Sequence, residues 1–379
     1  MIDHNRLAKT FQHLTTIDSV SKEEGRLART LFEMLESMGA DTRIDDANKI
    51  IGGDTGNLLA RLPGNTSAAP LLLSAHLDTV QPGKGVTAIL KDGVFTSDGT
   101  TILGADDKSA IAVLLEVLQV LQENNLPHGP LELALTVCEE IGLLGAKHLE
   151  SGFLSAVYGY VLDATDTDGI VVRAPAANRL KLVVHGKSAH AGSAPERGVN
   201  AIELAARAIS DLSLGRIDRE TTCNIGRITG GTAVNIVPDT VEVNGEVRSH
   251  DLEKLQLVTD DIVASFENVV AIERSLGRDD GLPWLEATVE RDYSGTRIPE
   301  DHRIVTLACQ AAANLDRNMK SKSTGGGSDA NIFFEKGIIT GVLGTGMKNV
   351  HTVNESVRLE DMVKAVALLI EIIRLQASV

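Results

Sequence analysis

Paired cysteines, long apolar runs and basic clusters are missing from this chain, and each absence removes a class of function. The three cysteines, Cys138, Cys223 and Cys309, are odd in number and lack CxxC spacing. That excludes a disulfide framework and a cysteine zinc site, and leaves buried thiols. The longest apolar stretches, IAVLLEVLQVL and MVKAVALLIEII, are broken by polar residues and fall short of the ~18–20 uninterrupted positions that cross a bilayer. No membrane partner is expected. The opening residues, MIDHNRLAKTFQHL, carry mixed charge and no apolar core ahead of a small-residue cleavage site, so a cytoplasmic protein is expected. The basic residues form no run, and a net charge of −16 repels nucleic acid and anionic lipid. Internal repeats and low-complexity tracts are absent as well.

What is present is the composition of a globular protein, 43% hydrophobic and 23% charged, long enough at 379 residues for two domains. Ser21 and Glu24 read as a capping box ahead of a first helix, in which Leu27, Leu31, Leu35 and Met38 recur at helical spacing up to Gly39. Four apolar runs read as buried strands, at 71–75, 131–138, 157–162 and 338–343. KSAIAVLLEVLQVLQ, between the first two, is a helix of crossover length, so those strands pair in parallel. From about Pro175 to Arg291 the pattern changes. RLKLVVHG and TVEVNGEVRS alternate with period two, and the helical stretches NAIELAARAISDL and LEKLQLVTDDIVASF lie between such strands. The expected fold is α/β: a mostly parallel sheet with helices on both faces, built from residues 1–174 and 292–379, plus an inserted α+β lid with an antiparallel sheet at 175–291.

Ligand sites in parallel sheets lie beyond the carboxyl ends of the strands. The strands above place His76 and Asp78 at one such end, Glu139 and Glu140 at a second, and Asp163 at a third, with Asp106 just before the crossover helix. Bare carboxylates a few ångströms apart repel by several kcal/mol at an effective dielectric near ~20, so divalent cations are the simplest remedy. Carboxylate and imidazole without thiolate suit zinc, cobalt or manganese. Period-two geometry puts His76 and Asp78 on one side, so Asp78 can orient the histidine, whereas Glu139 and Glu140 point apart. One of that pair can then bind metal while the other faces a bound water.

HLD within SAHLDTV, GADDK at 104–108, EEIG at 139–142, the strand end at Asp163, SAHAG at 188–192 and GGGSDAN at 325–331 resemble the co-catalytic di-zinc exopeptidases that include aminoacylase, glutamate carboxypeptidase and peptidase T. The motifs run in the family's order over nearly the whole chain, and GADDK followed by EEIGLLGA is most similar to the peptidase T branch. The resemblance implies a zinc exopeptidase-like catalytic domain in which Asp106 bridges two ions, His76 and Asp163 complete one site, and Glu140 and His351 the other. It makes Glu139 the general base toward a metal-activated water, and Asp106–Asp107 a cis peptide bond. It makes His190 a lid histidine that stabilises the oxyanion and Asn235 a substrate contact. Arg248, after an alternating strand, can clamp a substrate carboxylate bidentately. Glycines 325–327, including Gly326 and Gly327, permit backbone amides to approach an anion, and with Ser328 and Asp329 match the family's loop.

The activity implied is hydrolysis of short peptides, with a tripeptide aminopeptidase as the leading reading. A carboxypeptidase or N-acyl-amino-acid deacylase with the same metals is the alternative, and an inactive peptide-binding protein the third. Cys138, where peptidase T usually has an acidic residue, and a SAHAG motif without proline after its histidine lean toward the wider carboxypeptidase and aminoacylase branches. Lid closure over substrate and homodimerisation through a lid edge strand are further expectations.

Overall fold

The computed structural model describes residues 1–276 and 281–378. The chain divides into two compact units, Met1–Arg173 with Thr296–Thr324 and Ser328–Val379, and Ala174–Gly295 with Gly325–Gly327.

Four parallel strands form the centre of the first unit, in the order Leu131–Thr136, Leu71–His76, Tyr158–Ala164 and Ile339–Gly344. Register is set by pairs such as Leu71 with Leu131 and His76 with Thr136. Leu58–Leu62 and Asp41–Ile44 extend one side in antiparallel fashion, and Gly169–Ala174 pairs antiparallel on the other. The central strands are apolar at nearly every position because both faces are covered. Leu71, Leu73 and Ala75 join one buried cluster while Leu72 joins another, and Leu131, Leu133 and Leu135 part from Ala134 in the same alternation. On one face pack the helices His4–Thr15, Ala105–Glu123 and Leu359–Ala377, and on the other Asp329–Glu335.

Ala105–Glu123 is the crossover helix between Leu71–His76 and Leu131–Thr136. It is buried on nearly every side, so Lys108 and Glu116 within it need partners. Lys108 Nζ donates to the Ile17 carbonyl at 2.6 Å, and Glu116 accepts Nε of Arg6 at 2.7 Å and the amide of Asp3 at 2.8 Å.

The start of the chain departs from expectation. A helix at His4–Thr15, capped by the Asp3 carboxylate, precedes the one read first from the sequence. That second helix spans Gly25–Ser37 and buries Leu27, Leu31 and Leu35, but it has no side-chain cap. Ser21 and Glu24 are not a capping box, because both side chains are drawn instead to the rim of the sheet.

The second unit is a five-stranded antiparallel sheet in the order Gly215–Arg216, Thr221–Gly230, Thr240–Ser249, Ala176–His185 and Trp284–Tyr293. Leu180, Leu182, Val184, Val241, Val243 and Val247 point to one face, where helices Ala201–Ser210 and Leu252–Arg274 cover them with Leu204, Ile262 and Phe266. Among the described residues no helix is long and apolar enough to cross a membrane.

Candidate metal centre

His76 ends its strand fully inside the protein, and its Nδ1–H donates to the carbonyl oxygen of Asp78 at 2.8 Å. That bond turns Nε2 toward Oδ1 of Asp106, 3.0 Å away. The other oxygen of Asp106, Oδ2, lies 3.2 Å from Nε2 of His351, which is 2.9 Å from Oε1 of Glu140. Asp106 therefore turns one oxygen to each imidazole. A nitrogen lone pair facing a carboxylate at such distances is repulsive unless a proton or another cation lies between them. His76, Asp106 and Glu140 offer ligand atoms all within 4.8 Å of one another, and Oε1 of Glu140 is buried without an aligned hydrogen bond. This donor set, imidazole nitrogen and carboxylate oxygen, fits zinc, cobalt or manganese.

Local backbone geometry presents these groups. Gly104 is left-handed at φ 74°, and Asp106 and Asp107 leave helical angles at the head of their helix. The peptide bond between them is cis, as the resemblance implies. His351 is itself left-handed, at φ 63°, in the loop after strand Ile339–Gly344. Asp163 lies near the end of Tyr158–Ala164, beside the strand of His76.

Carboxylates also shape the turn that carries the glutamate pair. The amide of Cys138 donates to Glu24 at 3.0 Å, that of Glu139 to Oδ1 of Asp78 at 2.9 Å, and that of Glu140 to Oδ2 of Asp78 at 3.2 Å. Ser21 Oγ donates to the same Asp78 oxygen at 2.7 Å. Asp78 thus orients His76 more closely through its carbonyl than through its carboxylate, whose Oδ1 is 3.5 Å from Nδ1. The carboxylate itself anchors the Glu139–Glu140 turn.

The site is acidic, and several of its carboxylates are buried. Burial raises the pKa of Glu139, reinforced by the charge of Asp163, and burial with the charge of Asp106 raises that of Asp163. Asp107, buried with one oxygen accepting the His76 amide at 3.2 Å, is pushed up by its burial too. Burial also lifts Asp329 to about 6, although Thr136 donates a hydrogen bond to it. At Asp106 burial works upward, but hydrogen bonds from His351 and His76 outweigh it and hold the group low. His351 is pushed up to about 10, first by Asp106 and then by Glu140, while at His76 the hydrogen bonds to Asp106 and Asp78 overcome an opposing burial effect. The cluster draws positive charge onto its imidazoles, the demand that a divalent ion meets.

Sequence reasoning did not place Glu24 or Glu355 at the site, and named Asp107 and Asp329 only as parts of motifs. Glu24, misread as a helix cap, has a carboxyl raised to about 7 by burial and then by the charge of Asp78. Asp107, Asp329 and Glu355 are also buried around the site. The strand-end rule could have singled out none of Glu24, Asp329 or Glu355, since none of them directly follows a strand of the central sheet.

The remaining candidates belong to the second unit. His190 Nδ1 accepts the amides of Gly192 at 3.1 Å and Ser193 at 3.2 Å, which places the proton on Nε2. Asn235 lies beside it: the Ala191 amide donates to the Asn235 carbonyl at 2.9 Å. Arg248, on strand Thr240–Ser249, donates to Glu246 at 3.0 Å and keeps a buried Nε without a hydrogen bond. Gly327 packs so tightly that a Cβ would lie 2.4 Å from the ring of Tyr293, so packing by itself explains that glycine, while Gly326 belongs to the same segment.

The sequence pattern of Peptidase family M20/M25/M40 matches residues 72–375. A tripeptidase from Staphylococcus aureus subsp. aureus Mu50 superposes with a TM-score of 0.91 at 40% identity, covering 100% of both chains. Aminopeptidase PepT from Bacillus cereus ATCC 10987 does so with a TM-score of 0.87 at 38% identity, again over 100% of both chains. Peptidase T of Salmonella arizonae is 28% identical over 423 aligned residues, covering 99% of each chain. Site geometry, fold and sequence therefore agree: this chain belongs to peptidase family M20/M25/M40 and is a metal-dependent exopeptidase.

Proposed function

We propose that this protein is an aminopeptidase that releases the first residue of short peptides, with tripeptides as its main substrates, and that it works with two zinc ions. One observation carries the two-ion reading: the two oxygens of Asp106 face different imidazoles, His76 at 3.0 Å and His351 at 3.2 Å. His76 and Asp163 would hold one ion, Glu140 and His351 the other, with Asp106 shared. Bound there, the ions would polarise the scissile carbonyl and acidify water.

The protein's own groups then divide the work. Glu139, fixed through its backbone by Asp78, accepts a proton from the attacking water and delivers it to the leaving amine. Asp78 keeps both His76 and the Glu139–Glu140 turn in place. From the second unit we assign His190, with its proton on Nε2, as donor to the developing oxyanion. Arg248 is assigned to the substrate carboxylate, with Asn235, Gly326 and Gly327 as further substrate contacts. The similarity to a tripeptidase and to peptidase T supports the choice of tripeptides. A cytoplasmic location and a homodimer paired along the exposed edge strand Trp284–Tyr293 complete the proposal.

The test is amine release from a free tripeptide and its N-acetylated counterpart, with the protein loaded with zinc, cobalt or manganese. Cleavage of the free peptide alone is expected. Cleavage of the acetylated peptide would move the activity to a carboxypeptidase or deacylase, and cleavage of neither would favour a peptide-binding protein.

A further inference from the structure

One fully buried carboxylate beside the metal centre has no part in the chemistry above. Glu355 follows His351 by four residues, in the loop ahead of strand Ser356–Arg358. Its Oε2 accepts the amides of Leu103 and Gly104, each at 2.8 Å, and its Oε1 accepts the amide of Asp106 at 2.9 Å. Left-handed Gly104 turns the backbone so that these amides converge on one anion. The segments that Glu355 joins are held together elsewhere too. Ser356–Arg358 pairs with Val94–Thr96, Ser97 Oγ donates to the carbonyl of Thr101 at 2.6 Å, and Lys348 and Ser356 exchange backbone hydrogen bonds at 2.8 and 3.0 Å. The loop of His351 and the turn of Asp106 thus form one bound assembly, and Glu355 reaches the backbone of Asp106 itself.

We infer that Glu355 is a positioning residue that fixes the Asp106 carboxylate between His76 and His351, and so governs binding of both metal ions without touching either. This rests on the reading of Asp106 and His351 as ligands. Partners of ligands commonly change metal affinity by about 10–100-fold when removed. Glu355→Gln keeps the shape but replaces one acceptor oxygen with an amide nitrogen that cannot receive a backbone N–H.

The experiment compares wild type, Glu355→Gln and Asp106→Asn as full chains. It measures cobalt affinity and the visible spectrum of the bound cobalt, kcat and KM for a tripeptide, and melting of the metal-free protein. For Glu355→Gln the expected result is cobalt affinity lowered about 10–100-fold, a changed cobalt spectrum, and reduced kcat with KM near wild type. Loss of melting temperature with affinity and spectrum unchanged would mark Glu355 as a plain loop anchor and overturn the inference. If Asp106→Asn loses cobalt while Glu355→Gln keeps it, the inference alone fails. If Asp106→Asn also keeps both ions at wild-type affinity, the ligand reading fails and the inference with it. Should Glu355→Gln not fold, Glu355→Asp decides in the same assay: one methylene shorter, it cannot span all three amides, and wild-type affinity would overturn the inference.

Discussion

Asp106 and Glu139 illustrate two kinds of acid at one rim. Asp106 is held low by the imidazoles on either side, as a bridging ligand requires, whereas Glu139 is raised by burial and the charge of Asp163. The mutation Glu139→Ala removes the proposed proton acceptor but none of the proposed ligands. It should leave metal content near wild type and lower turnover by about 10²–10⁴-fold, read from metal analysis and steady-state kinetics on the same sample. Near-normal turnover would refute the role. At this scale the sequence was legible for side chains at or just past the end of an apolar strand, as at His76, Asp78, Glu139 and Asp163. His351 carries no local signal, and only the resemblance singled it out. Ser21 and Glu24 were misread because S-x-x-E satisfies a helix end and a tertiary contact equally well; here the amide of Cys138 and the carboxylate of Asp78 took them.

Among the elements, the central strands were plain because burial on both faces leaves an unbroken apolar run, and their observed ends shift by at most two residues. The helix His4–Thr15 was overlooked although Leu7, Phe11 and Leu14 recur at helical spacing behind an Asp3 cap, a shorter signal than the helix that follows it. The glycine segment shows how one motif serves two ends. Read as room for an anion, it also contains Gly327, where a Cβ would meet Tyr293 Cζ at 2.4 Å. Overpacking of this kind costs about 1–3 kcal/mol. Gly327→Ala should therefore lower the melting temperature of the metal-free protein, by several degrees in a thermal scan, and an unchanged temperature would show that the Tyr293 ring gives way freely.

Across the whole molecule, a net charge of −16 is partly an outcome of the site. Asp78, Asp106, Asp107, Glu139, Glu140, Asp163 and Asp329 gather at one end of one sheet, where burial pushes Glu139, Asp163 and Asp329 upward and cations among the acids would relieve their repulsion. The two-unit organisation was legible in the change from unbroken to alternating apolar patterns, since a sheet covered on both faces and one covered on a single face impose different periods. The boundary of the insert was less so: the second unit runs over Ala174–Gly295 and takes in Gly325–Gly327, a long-range association that no local pattern encodes. The central claim is that Asp106 is shared by two ions, and anomalous diffraction from crystals grown with zinc tests it most directly. The prediction is two anomalous peaks, one beside each oxygen of Asp106, the first also next to His76 and Asp163 and the second next to Glu140 and His351. A single peak, or peaks remote from Asp106, would contradict the account.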